Sequence, residues 1–367
     1  LNLKNNPVLS CFKPLVPYIK ATQDRVVLEI QRGCIRGCRF CQAGMIYRPI
    51  REKKTDKLME LAESLLKTTG YNEISLTSLS ICDYSDIRNL IYSLIEKYKD
   101  EKVGVSLPSL RIDSFYVDLI NEIQKVRKTG LTFAPEAGTQ RMRDVINKGV
   151  TEENLLNATR SAFESGWSTI KLYYAKGIAY TSEKVVNEYY SLPKDKRKKG
   201  LRVTASASIF VPKPFTPFQW APQLREKDVM ERIYTIKDSI KSKAISFNYH
   251  ASKVSFLEAV FARGDRRVCD VLVEAFKNGA KFDGWSEYFN YEIWMDAFKK
   301  CGVDPEFYAY RERSYDEILP WDFINIGVNK EFLIRENDKA KEGIITPDCR
   351  LGCTNCGVNV NLEGKCF

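Results

Sequence analysis

From about residue 25 to residue 240, short β-branched runs alternate six times with longer amphipathic ones, and that succession limits the fold more than any other feature. The strand-like runs are 26–30, 74–79, 103–107, 130–134, 169–174 and 202–211. Between the first two, Leu58, Leu61, Ala62, Leu65 and Leu66 recur at helical spacing, with Thr55 placed to cap the start and Gly70 to end it. Ile87, Leu90, Ile91, Leu94, Ile95 and Tyr98 repeat the pattern, with Ser85 as the expected cap. Further helices are expected from about Ser114, over 142–147, over 151–165 ahead of Gly166, more weakly over 183–191, and over 229–240. Connections that long are not hairpin turns, so consecutive strands must run parallel with right-handed crossovers. A doubly wound sheet and a (β/α) barrel both satisfy this pattern, and periodicity does not separate them.

Beyond about 241 the alternation stops, and segments near 255–263, 267–278, 288–300 and 329–341 read as helices. The chain therefore divides into a linker (1–24), an α/β unit (25–240), a helical extension packed on it (241–345) and a cysteine-rich tail (346–367). No apolar run reaches the ~18 residues of a membrane span. The first twenty residues lack the apolar core and cleavage site of a signal peptide. The expected compartment is the cytoplasm. The first residue is Leu1, which reads as the interior of a longer chain with an upstream domain missing. Net charge is +10, and the run KDKRKK at 194–199 holds five positive charges and one negative. Such a run reads first as a solvated loop and second as a nucleic-acid contact.

Eleven cysteines are unusual in a chain of 367 residues. Disulfide scaffolds are short and secreted, and this chain is neither. Seven of the eleven fall in two tight groups, which is metal-ligand spacing. His250 is the sole histidine, so sites that need two, such as the HExxH zinc hydrolases, are excluded. Its surroundings, FNYHASK, suggest no nucleophile either.

The first group, Cys34, Cys38 and Cys41, has the spacing C-x3-C-x2-C in the loop after the first strand. In a parallel β/α array that loop lies at the C-terminal edge of the strands, where such folds build their sites. Gly33 and Gly37 free the backbone to wrap a compact group. A closed structural zinc site wants four ligands, whereas three thiolates leave a four-iron cluster with one open iron. Arg32, Arg36 and Arg39 are expected to lower the thiol pKa values and offset the cluster's charge.

The C-x3-C-x2-C spacing, its place after strand one and Phe40 ahead of the last cysteine resemble the radical S-adenosylmethionine superfamily. The likeness extends over nearly the whole chain. RGCIRGCRFCQAGMIYRPIRE, LTFAPEAGTQRMRDVINKG, SIFVPKPFTPFQW, FARGDRR, FDGWSEYF, FYAYRERS and LPWDFINIGV are similar to one uncharacterised family within it. Members of that family carry a cobalamin-binding-like domain upstream. The resemblance implies a partial (β/α)6 TIM-like barrel, a [4Fe–4S] cluster on Cys34, Cys38 and Cys41, S-adenosylmethionine on the open iron, and a flavodoxin- or ferredoxin-type reductant. It implies no substrate. Related enzymes hold the amino group of the ligand on a Gly-Gly-Glu triplet after the second strand. Here SLTSLSICDYS offers Thr77, Ser78 and Ser80 instead. Glu136, after the fourth strand, resembles the acid that meets the sugar or amino group, and otherwise reads as a surface carboxylate. Arg111 is placed either to meet the ligand carboxylate or to form a surface pair. Where the family runs through a Gly-Leu-Pro-Thr-Glu-Thr-like turn, this chain reads KLYYAKGIAYTSEK, altered over 175–183.

The second group, Cys349, Cys353, Cys356 and Cys366, is complete as a four-ligand set and fits either a second [4Fe–4S] cluster or zinc. Cys11, Cys82, Cys269 and Cys301 stand apart and read as buried or inert thiols. The expected function is reductive cleavage of S-adenosylmethionine to a 5′-deoxyadenosyl radical that acts on an unknown, large substrate, RNA or protein, with an RNA or ribosomal substrate as the expected partner. The rival readings are a cobalamin-dependent methyltransferase and a non-catalytic, metal-stapled nucleic-acid-binding protein.

Overall fold

The structure is a computed structural model that describes residues 13–19, 21–107, 111–114, 131–176, 178–198, 200–361 and 366. Strand β1 (Val26–Glu29) pairs in parallel with β4 (Glu73–Thr77), which pairs in parallel with β5 (Gly104–Ser106). Between β1 and β4 the chain makes a small antiparallel pair, β2 (Gln31–Arg32) with β3 (Arg51–Glu52). The cysteine loop and helix α1 (Gln42–Ile46) lie between those two short strands, and α2 (Thr55–Thr69) follows them. Helix α3 (Ile87–Tyr98) leads from β4 to β5. The second sheet holds β6 (Leu131–Ala137), β7 (Thr169–Lys176), β8 (Arg202–Ala207) and β9 (Ile245–Tyr249), all parallel and in sequence order. Its helices are α4 (Gln140–Val145), α5 (Glu152–Glu164), α6 (Ile178–Ser191) and α7 (Glu226–Ser239). The expected helix beginning near Ser114 lies outside the described residues.

All six expected strands are present, and β9 adds a seventh. β9 pairs only with β8 and is largely open to solvent, so ISFNY carries polar residues that hide the strand signal. Two expected caps serve other purposes. Helix α2 is entered at Lys54 without a side-chain cap, while Thr55 Oγ1 donates to Asp86 Oδ2 at 2.6 Å. Asp86 precedes α3, and Ser85 bonds Glu52 instead. Thr151, in contrast, forms a reciprocal capping box with Asn154 at the start of α5.

The helices pack on one face of each sheet. Val26, Leu28, Ile74, Leu76 and Val105 meet the buried stripes of α2 and α3. Leu131, Phe133, Ile170, Leu172, Val203 and Ala205 meet those of α5 and α6. Some alternate strand positions stay open, with Val27 49% exposed and Tyr173 42%, while Ser75 is buried. The inward face of the partial barrel is therefore accessible in places rather than packed shut.

After β9 come α8 (Ser252–Arg263), α9 (Val268–Lys277), α10 (Tyr291–Lys300), α11 (Pro305–Ala309), α12 (Lys330–Glu342) and the short α13 (Val358–Asn361). Helices α8 to α11 share a core of Val260, Val271, Trp294, Phe298 and Tyr308. A further core joins Met45 of the cysteine loop to Trp220, Trp321, Phe332, Leu333, Cys356 and Val358. That contact lays the C-terminal segment against the loop that follows β1. No helix among the described residues is long and apolar enough to cross a membrane.

Candidate active site

Three features fix the course of the cysteine loop. Gly33 has φ +83°, and a Cβ there would stand 2.5 Å from the carbonyl oxygens of Tyr47 and Pro49. The Arg39 amide donates to Ile146 O at 3.0 Å. The Asn147 side chain donates to Gly37 O at 3.1 Å. Cys34 Sγ accepts the Arg36 amide at 3.4 Å, and Cys41 Sγ accepts the Gly44 amide at 3.3 Å from the first turn of α1. Cys38 is buried, and Cys34, Cys41 and Phe40 are partly so.

The loop arginines do not serve the thiols as expected. Arg32 pairs with Glu29 at 2.8 Å on the surface. Arg36 meets three carboxylates, Asp83 at 2.5 Å and both Asp113 and Asp348 at 3.4 Å. Arg39 is wholly buried, bonded to Glu336 at 3.1 Å and to the carbonyls of Asp144, Val145 and Ile344. Their charge is spent on carboxylates, so burial decides the thiols. Burial, with the neighbouring Cys38 and Asp83 charges, pushes the Cys34 thiol up to about 12. Burial and Cys38 also raise Cys41, with Lys148 opposing them. A bound cluster must therefore displace protons from thiols that are neutral at pH 7.

Glu136 lies at the end of β6, where Pro135 interrupts the ladder and the register with β7 shifts. It has φ +63°, a strained conformation for a residue with a side chain. Lys148 holds its Oε1 at 3.1 Å, and the charges of Glu136 and Lys148 both reach Cys41. Arg111 is not a surface pair. It is buried, with Nε and Nη2 on Asp113 at 2.9 and 3.1 Å and Nη2 also on Lys148 O. Burial disfavours its charge, but Asp113 outweighs burial and raises its pKa, and its charge couples to Cys38. Ser78 accepts the Ser80 amide at 3.1 Å, in a stretch tied to the loop by Ile30 N to Thr77 O and by Gln31 Nε2 to Ser80 O. The geometry thus groups Glu136, Arg111 and the three cysteines, with Ser78 at the adjoining strand end.

In the basic run Lys194, Lys196 and Lys198 are exposed and Arg197 is half-buried on the carbonyls of Leu192 and Tyr190; the run precedes β8, on the edge opposite these residues, and Lys199 lies outside the described residues. Cys82 is buried on the turn after β4, where burial pushes it up to about 11 and the Arg111 amide opposes that rise. Cys269 is exposed, and Cys11 lies outside the described residues.

The tail is stitched to the same loop. The Cys349 amide donates to Ile35 O at 3.1 Å, and Arg350 reaches Asp83 O at 2.5 Å and Glu52 Oε1 at 3.0 Å. Cys356 is buried, Cys349 and Cys366 are partly buried, and Cys353 is exposed. The partners Asp83, Asp113, Asn147, Glu336 and Asp348 escaped the sequence reading. Each is distant in sequence from the loop, and an isolated acid or amide carries no spacing signal.

Among the described residues, no three cysteine, histidine or acidic side chains yet converge on one point as a closed ligand set. The donor chemistry nevertheless fits a cluster at Cys34, Cys38 and Cys41. The set is all-thiol, the sulfurs feel one another's charge, and two backbone amides already point at sulfur.

The sequence profile of the Radical SAM superfamily matches residues 28–186. An uncharacterised protein of Methanocaldococcus jannaschii is 35% identical over 248 residues, covering 67% of this chain and 53% of its own length. The threonylcarbamoyladenosine tRNA methylthiotransferase MtaB of Aquifex aeolicus is 24% identical over 267 residues, covering 70% of this chain and 63% of its own. The chain thus spans less than two thirds of the length of either relative. Among solved structures, the cobalamin-dependent S-adenosylmethionine radical enzyme OxsB aligns with a TM-score of 0.40 and 12% identity, over 92% of this chain and 57% of its own.

Proposed function

We propose that this chain, whose residues 28–186 match the Radical SAM superfamily, is an enzyme that cleaves S-adenosylmethionine at a cluster held by Cys34, Cys38 and Cys41, and that its substrate is RNA. The observation that carries the reading is the all-cysteine loop that follows β1, in which the backbone amides of Arg36 and Gly44 already donate to the sulfurs of Cys34 and Cys41. When bound, the cluster and S-adenosylmethionine supply one-electron cleavage of the sulfonium and a 5′-deoxyadenosyl radical.

The chain's own residues hold and shield that chemistry. Arg36, through Asp83, Asp113 and Asp348, keeps the loop between Cys34 and Cys38 in one shape. Arg111 places a buried positive charge beside Cys38. Glu136 and Lys148 stand at the Cys41 side, where the carboxylate is positioned to accept a hydrogen bond from the ligand's amino group or sugar. The tail cysteines make a second metal site, which we read as an auxiliary [4Fe–4S] cluster in preference to zinc. A ferredoxin- or flavodoxin-type protein is the expected electron donor.

Two observations support RNA. One relative is named as a tRNA methylthiotransferase. The rim of the loop also gathers unneutralised cations: Arg32, Arg51 and Lys53 share the single carboxylate of Glu29, and burial with the Arg32 charge lowers the pKa of Arg51. Such a rim attracts phosphate.

Anaerobic reconstitution with iron and sulfide, followed by an assay for 5′-deoxyadenosine, tests the reaction. The loaded chain should produce it, and full production in Cys38→Ala would defeat the assignment of the loop. Binding of transfer RNA measured against salt tests the substrate class. Arg51→Ala should weaken it and flatten the salt dependence by about one phosphate contact.

A further inference from the structure

Arg48 is a buried charge that the chemistry above leaves unused. It is 4% exposed. Its Nε donates to Gly44 O at 3.1 Å and its Nη2 to Arg36 O at 3.1 Å, so the guanidinium is fixed to the first cysteine loop. Its plane lies 5.5 Å from the ring centroid of Phe332 on α12. Its Nη1 is buried and has no hydrogen-bond partner, and no carboxylate pairs with it among the described residues. A guanidinium taken out of water without a counter-charge is costly, so such a cation is ordinarily matched by an anion. The Phe332 ring it stacks on shares a buried core with Cys356, against which Cys366 packs, and the Cys349 amide bonds Ile35 O, the carbonyl next to the Arg36 O that Arg48 holds.

We propose that Arg48 is the counter-cation of an anionic metal–thiolate centre held by Cys349, Cys353, Cys356 and Cys366, with Nη1 donating to a ligand sulfur. The inference rests on the reading that the tail binds metal, but not on which metal. Four thiolates around Zn²⁺ or around a doubly charged four-iron core both leave a net charge of about −2. Arg48 is thus a positioning residue for two sites. The same guanidinium that meets the tail centre holds the carbonyls of Arg36 and Gly44, which flank Cys38 and Cys41. Filling the tail site therefore fastens the loop that carries the first three cysteines.

The test uses the full chain with Cys34, Cys38 and Cys41 replaced by Ala, so that metal bound at cysteine is bound at the tail. Zinc affinity is read by chelator competition, and any iron centre by its reduction potential in an anaerobic redox titration. Arg48→Gln should weaken zinc binding about tenfold or more, as loss of an outer partner does at other metal sites, and Arg48→Lys should recover most of it. An iron centre should move to lower potential in Arg48→Gln, because a cation that stabilises the added electron is gone. Unchanged affinity and potential in Arg48→Gln would overturn the role of Arg48 while leaving the tail site standing. A chain with Arg48 intact that takes up neither zinc nor iron would overturn the tail site itself, and the inference with it. If Arg48→Gln does not fold, hydrogen exchange on the Arg48 chain decides: zinc loading should protect the amides of residues 44–48, and exchange there that is indifferent to zinc refutes the coupling.

Discussion

The two cysteine segments are built in opposite ways. The loop after β1 is held by the protein itself. Arg36 meets three carboxylates, Arg39 is wholly buried against Glu336 and three carbonyls, and Asn147 bonds the backbone at Gly37. The tail leans on that loop through Cys349 and Arg350, sinks Cys356 into a shared core, and leaves Cys353 in solvent. A site that must leave one metal position open for a ligand needs ligands fixed from outside. A closed four-cysteine site can be organised by its own metal. The contrast predicts that the first site depends on its surroundings and the second on its metal.

The largest effect is expected at the first loop. Arg39→Met removes one partner of a buried ion pair and leaves Glu336, which is 2% exposed, without its guanidinium. Breaking a buried pair outright costs about 3–5 kcal/mol, and because Glu336 keeps Lys339 at 3.2 Å and the Thr346 hydroxyl at 2.8 Å the loss should fall at the low end of that range. Denaturant unfolding of the metal-free chain should show a loss in that range, and reconstituted protein should lose most of its S-adenosylmethionine cleavage. A variant as stable as the original would break the comparison, since the loop would then not be held by its salt bridges.

The tail should respond to metal instead. Cys353 is exposed, so Cys353→Ala should leave metal-free stability within about 0.5 kcal/mol. If both sites hold four-iron clusters, the reconstituted chain should contain about eight irons and a variant lacking both Cys353 and Cys356 about four. A zinc tail gives about four irons and one zinc, and the variant loses the zinc alone. Binding of S-adenosylmethionine should survive in either case. Metal analysis of the two proteins separates these outcomes, and a starting protein with four irons and no zinc would sink both versions.

How much of this could be read from the sequence follows the range of each signal. Six of the parallel strands and the four longer helices of the extension announce themselves by periodicity over a few residues, while the short α11 does not. Nor does strand β9, because an open edge strand has no buried face to imprint an alternation. The cysteines were legible because their spacing is local. Their electrostatics were not. The loop arginines looked like partners for thiolates, yet their actual partners are Asp83, Asp113, Glu336 and Asp348, brought in from other elements. The buried pairing of Arg111 is hidden for the same reason, since nothing in the spacing of Arg111 and Asp113 distinguishes a bound guanidinium from a free one.

The smallest effect is expected at Glu136, where stability and binding should move in opposite directions. Its backbone has φ +63°, which costs a residue with a Cβ about 1 kcal/mol or more and costs glycine little. Its bond to Lys148 is partly exposed, with side-chain exposures of 12% and 25%, and such pairs contribute about 0–1 kcal/mol. Glycine also adds entropy to the unfolded chain, which takes back part of the gain. Glu136→Gly should therefore melt within a few degrees of the original, and as soon above it as below. If the carboxylate meets the bound nucleotide, the same change should weaken S-adenosylmethionine binding about tenfold, the loss expected for one charged hydrogen bond of about 1.5 kcal/mol. Glu136→Gln, which keeps the shape and the strain, separates the two roles: it should leave the melting temperature unchanged and show most of the binding loss. Equal affinity in all three proteins would place Glu136 outside the ligand site and leave it as the partner of Lys148 alone.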